Sequence, residues 1–81
     1  MTAARRVEEI EAWLVRAIAH SLQVADREID RERPLVELGL DSVAAVELSG
    51  RLEEWLGRRV APTVVWDYPT IASLASFLAS S

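Results

Sequence analysis

Three stretches of this chain carry apolar residues at helical spacing, and no stretch sustains an apolar–polar alternation with a period of two. From about Ala4 to Leu22, Val7, Ile10, Leu14, Ala17, Ile18 and the small Ser21 recur every three or four positions, while Arg6, Glu9, Arg16 and His20 fall largely elsewhere. From Ser42 to Leu56, Ala45, Leu48, Leu52 and Leu56 form one stripe with Trp55 at its rim, and Gly57 is placed to end the helix in the left-handed conformation. From Ile71 to about Ala79, Ile71, Leu74, Ala75 and Leu78 form a third stripe, with Thr70 as its cap. Pro62-Thr63 introduces Val64-Val65-Trp66-Asp67-Tyr68, which Pro69 must terminate within little more than one turn. The pattern predicts an all-α fold with three main helices, one short third helix and a long first loop.

That loop runs from Gln23 to Leu40 and is polar, with Val24, Ile29, Leu35 and Leu38 as isolated apolar residues able to pin it onto a core. It is expected to be ordered, with a short turn at Leu35–Leu38. A connection of this length in a compact domain is often functional.

Composition narrows the function. At 81 residues the chain makes one domain, residues 1–81. A domain of this size buries only about 60% of its unfolded surface, which leaves no room for a deep catalytic pocket beside a core. Half of the residues are hydrophobic (51%), with three Gly and three Pro, which fits a packed globule and not a disordered segment. With no cysteine there are no disulfides, thiolate zinc sites or cysteine nucleophiles, and a cytoplasmic location is expected. Apolar runs are only a few residues long, and Met1-Thr2-Ala3-Ala4-Arg5-Arg6-Val7 leads into charges instead of an apolar signal core, so no membrane association is expected. The net charge of −4 disfavours nucleic acid and anionic lipid and points to basic protein surfaces as partners. All nine cationic side chains are arginine, which carries no functional weight here.

The most informative residue is Ser42, in Leu38-Gly39-Leu40-Asp41-Ser42-Val43, where a loop closed by a glycine enters a helix with Asp41 as its natural N-cap. A hydroxyl at a helix N-terminus lies beside unpaired backbone N–H groups, good ground for a phosphodiester. The one histidine, His20, falls in another helix, so a serine nucleophile with its own general base is poorly supported. Ser42 reads as a residue that is modified. His20 itself reads as a solvated helix residue, and Trp13, Trp55 and Trp66 as core or rim packing.

At about 100° per residue, the face of the second long helix opposite its buried stripe carries Val43, Val46, Glu47, Gly50, Glu53 and Glu54 beside Ser42. Single exposed valines are common and need no explanation. An exposed mid-helix glycine costs about 0.5–1 kcal/mol against alanine, and close approach of another surface is one reason to keep it. Two valines, an acidic rim and a glycine gap together describe a small transient docking site. Glu53 and Glu54, adjacent on a helix, diverge by about 100° and make a solvated acidic face rather than an acid–base pair.

Leu38-Gly39-Leu40-Asp41-Ser42-Val43, followed by Ala45-Val46-Glu47-Leu48, Arg51-Leu52 and Pro62-Thr63-Val64-Val65-Trp66-Asp67-Tyr68-Pro69-Thr70-Ile71, resembles an acyl carrier protein domain of a modular polyketide synthase over nearly the whole chain. The resemblance implies a four-helix bundle whose Ser42 receives 4′-phosphopantetheine from coenzyme A through a magnesium-dependent phosphopantetheinyl transferase, with Asp41 as the flanking motif residue. The arm then carries acyl groups as thioesters among acyltransferase, ketosynthase or acyl-adenylate ligase partners, and the domain itself is non-catalytic and monomeric when isolated. Similar domains are recognised through the helix after the serine. Peptidyl carriers of peptide synthetases usually have a second glycine where this chain has Leu40, which makes that the alternative. No tryptophan sits near Ser42 in Glu47-Leu48-Ser49, as carriers serving β-branching enzymes often have. Val46 to Gly57 is similar to carriers beside fatty acyl-adenylate ligases. A helical interaction module without cofactor is the competing class.

Overall fold

Ile10, Leu14 and Ile18 are fully buried along one side of α1 (Val7–Leu22), and they share one core with Ile71, Leu74 and Ala75 of α5 (Ile71–Ser80), the helix against which α1 packs most extensively. A computed structural model describes residues 6–80, and every regular element among them is helical. In chain order, α1 is followed by a 3₁₀ turn (Asp26–Glu28), α2 (Leu35–Leu38), α3 (Ser42–Leu56), α4 (Val64–Asp67) and α5. Leu48 and Leu52 of α3 and Val64 and Val65 of α4 complete the core of a small helical bundle.

Most helix boundaries follow their local signals. Gly57, at φ 73°, ends α3, its amide donating to the Glu53 carbonyl at 2.8 Å. Thr70 and Ser73 form a reciprocal cap on α5, in which the Ser73 amide donates to Thr70 Oγ1 and the Thr70 amide to Ser73 Oγ, both at 3.1 Å. The first helix begins later than its periodicity suggests. Arg6 is extended and its amide donates to Glu9 Oε1 at 3.2 Å, so the carboxylate caps a helix that starts at Val7. The expected start at Ala4 lies outside the described residues.

The long first loop is ordered. Ile29 and Leu35 are buried and Leu38 half-buried, while Val24 stays exposed. Two backbone bonds fasten this loop to the far end of the chain: the Leu35 amide donates to the Pro69 carbonyl at 2.7 Å, and the Ala72 amide to the Arg31 carbonyl at 3.1 Å. The second gives a partner to an N–H in the first turn of α5, which has none within its own helix. Arg31 also reaches Glu11 of α1 at 2.8 Å.

Three side chains depart from expectation. Ser21 is exposed, at the mouth of a small cleft between α1 and α3. Leu56, in the last turn of α3, is only half-buried. Trp66 is 44% exposed, because Val64 and Val65 take the inward positions of a one-turn helix and leave Trp66 pointing out. Ser49 is buried within α3, its hydroxyl satisfied by the Val46 carbonyl at 2.8 Å.

Candidate functional site

The loop into α3 is built to present one hydroxyl. Gly39 ends α2 at φ 108°, a conformation that disfavours any residue with a side chain. Leu40 is buried and anchors the next step. Asp41 is extended, and its Oδ1 accepts the Ala44 amide at 2.8 Å while its carbonyl accepts from Ala45 at 2.9 Å, the geometry of an N-cap. Ser42 is therefore the first residue of a 15-residue helix and is exposed.

Among the described residues nothing hydrogen-bonds the Ser42 hydroxyl, and the amides of Ser42 and Val43 have no acceptor. These free first-turn donors, at the positive end of the helix dipole, suit a phosphodiester oxygen next to Ser42 Oγ. His20 lines a groove together with Arg51, and it makes no hydrogen bond to the Ser42 hydroxyl. No three His, Asp or Glu side chains among the described residues are grouped to hold a metal ion, and no helix among them is long and apolar enough to cross a membrane.

On the exposed side of α3, Val43 is 66% and Val46 57% exposed, with Glu47, Gly50 and Glu54 also at the surface. A Cβ on Gly50 would meet nothing within 4 Å, so the fold itself does not require a glycine there. Glu53 differs from the free rim charge expected. It is half-buried, and its Oε2 accepts the Val60 amide at 2.9 Å, so its carboxylate ties α3 to the loop before α4. Val36 on α2 (58% exposed) and Trp66 on α4 are further exposed apolar residues, and the sequence pattern predicts neither at the surface. Val36 follows the buried Leu35 in a one-turn helix and so points outward, a signal present once α2 is recognised. The Leu35–Pro69 bond joins α2 to the end of the α4 segment.

Known proteins share this architecture. A 79-residue match at 39% identity to one of the phenolphthiocerol/phthiocerol polyketide synthase proteins of Mycobacterium tuberculosis covers 98% of this chain but only 4% of that protein. An acyl carrier protein from Anabaena sp. PCC 7120 with a variant phosphopantetheinylation-site sequence superposes with a TM-score of 0.87 at 39% identity, covering 98% of this chain and 90% of that one. A free-standing peptidyl carrier protein from Acinetobacter baumannii gives a TM-score of 0.88 at 35% identity, covering 91% and 92%. The family model described as the phosphopantetheine attachment site matches residues 12–78, and the chain belongs to that family of carrier domains, whose covalent cofactor is 4′-phosphopantetheine.

Proposed function

We propose that Ser42 is the attachment residue and that the chain is an acyl carrier domain of a polyketide synthase, passing acyl intermediates as thioesters between partner enzymes. The observation that carries this reading is the exposed Ser42 hydroxyl, without a partner among the described residues, at the capped start of α3. In the loading reaction Ser42 Oγ loses its proton as its bond to phosphorus forms, and the adenosine bisphosphate half of coenzyme A departs. The base belongs to the transferase, because no histidine or carboxylate of this chain hydrogen-bonds the hydroxyl among the described residues. Once attached, the cofactor supplies a terminal thiol that holds the acyl group. The protein contributes attachment and recognition and catalyses nothing itself. It works in the cytoplasm, as a monomer when isolated.

Similarity to polyketide synthases, including 46% identity over 68 residues to a second protein of the same Mycobacterium tuberculosis system, supports an acyl rather than a peptidyl cargo. The partners are a phosphopantetheinyl transferase and acyltransferase, ketosynthase or acyl-adenylate ligase domains. They dock on Val43, Val46 and Gly50, with Glu47 and Glu54 at the rim and Val36 extending the apolar area onto α2. A basic partner surface fits this face. Rim charges chiefly raise the association rate and lose effect as the screening length shortens to about 8 Å at physiological salt.

The test measures transfer from coenzyme A and subsequent acyl loading for Glu47→Arg, Val46→Asp and the control Glu8→Arg, in the exposed first turn of α1, at low and at physiological salt. Glu47→Arg is expected to slow both reactions mainly at low salt, Val46→Asp at both salts, and Glu8→Arg at neither. Equal damage from Glu8→Arg and Glu47→Arg in folded proteins would place the docking face elsewhere.

A further inference from the structure

The chain is acidic overall, with 13 Asp and Glu against nine Arg, yet its surface is not uniformly so. Where α1 lies against α3, a groove of about 320 Å³ is lined by Trp13, Arg16, Ala17, His20 and Arg51, with no carboxylate among the lining residues. Trp13, Arg16 and His20 follow one another at three- and four-residue steps, so they share one face of α1. Ala17 is buried and forms the floor.

The groove is held in shape by its aromatic edge. Trp13 stacks on Trp55 with ring centroids 5.0 Å apart, and the Arg51 guanidinium sits 5.9 Å from the centre of the Trp13 ring. That contact holds the Arg51 guanidinium beside the groove's aromatic edge. Arg31 pairs with Glu11 and Arg33 with Glu37, away from the groove. Arg16 and Arg51 have no carboxylate partner among the described residues.

We propose that this groove is a second docking surface, of opposite sign to the α3 face, and that its occupant is an acidic segment of a partner protein. Carboxylates of that segment meet Arg16 and Arg51, whose planar guanidinium groups suit bidentate pairing, and an apolar side chain lies against Trp13. Charge complementarity selects this occupant. A nucleic acid is the other polyanion available, but two arginines neutralise too few phosphates to hold it against a net charge of −4. A carrier with an acidic face and a basic groove can sort partners by the sign of their surface, since like charges brought together disfavour the wrong one. Neither the groove nor its occupant involves Ser42, so this surface is independent of the attachment chemistry.

The experiment is an NMR titration of the isotope-labelled 81-residue chain with an acetylated, amidated peptide of alternating glutamate and leucine. Saturable shifts are expected at the Trp13 indole, Arg16, His20 and Arg51, and the double variant Arg16→Glu, Arg51→Glu should bind about tenfold more weakly or worse. If that variant loses its native spectrum, Arg16→Gln alone, which leaves Arg51 over Trp13, should weaken binding about threefold. Shifts scattered over the whole chain, or an affinity indifferent to these substitutions, would overturn the proposal. Binding of a single-stranded oligothymidylate to the groove as tightly as the peptide would overturn it too, in favour of a general polyanion site.

Discussion

The Leu35 amide donates to the Pro69 carbonyl at 2.7 Å, which joins the one-turn helix leading towards Ser42 to the proline that closes the α4 segment. With the Ala72–Arg31 bond it converts a long polar connection into a strap held at two points on the start of α5. Such bonds open only when the strap lifts away from the bundle. The Leu35 and Ala72 amides should therefore be protected in native-state hydrogen exchange, opening with the strap as a unit. Exchange at either amide as fast as in an unstructured peptide would show that the strap is not held.

The core stripe and the exposed face of α3 should respond differently to truncation. Leu52 is 0% exposed and Val46 57%. Leu52→Ala is expected to cost about 2–5 kcal/mol, while Val46→Ala should cost less than about 1 kcal/mol. A domain of this size has only about 3–5 kcal/mol to lose, so Leu52→Ala should lie near the edge of folding. Thermal and urea unfolding of both variants check this, and equal shifts would mean that Leu52 does not face the core in solution.

Where local chemistry decides, the sequence was readable. Gly57, Thr70 and Pro69 mark their helix boundaries because backbone conformation and capping act within a few residues, and Asp41 caps α3 for the same reason. The end of α1 carries no such mark: Gln23 takes the left-handed conformation at φ 61° without being glycine. Partnerships across the fold were not readable either. Nothing local tells Glu53 to turn towards Val60, Trp13 to stack on Trp55 or the Leu35 amide to meet Pro69, since each depends on how the packed helices bring distant residues together. Trp66 departs from expectation on a related ground. Its apolar bulk suggested packing, but its neighbours Val64 and Val65 already fill the inward side of a single turn.

Gly50 separates stability from recognition. Because a Cβ there meets nothing within 4 Å, Gly50→Ala should stabilise the free domain by about 0.5–1 kcal/mol through helix propensity alone. If a partner surface approaches the helix at that gap, the same variant should lower kcat/KM in transfer from coenzyme A. A raised melting temperature with unimpaired transfer would remove Gly50 from the docking face.

The central claim, that Ser42 is the sole attachment residue, is tested most directly by intact-protein mass after incubation with coenzyme A, magnesium and a promiscuous phosphopantetheinyl transferase. The wild-type chain should gain the mass of one phosphopantetheine. Ser42→Ala should remain folded by circular dichroism and gain none. A folded Ser42→Ala protein that is still labelled, or a wild-type chain that stays unlabelled beside a carrier that is modified under the same conditions, would contradict the assignment.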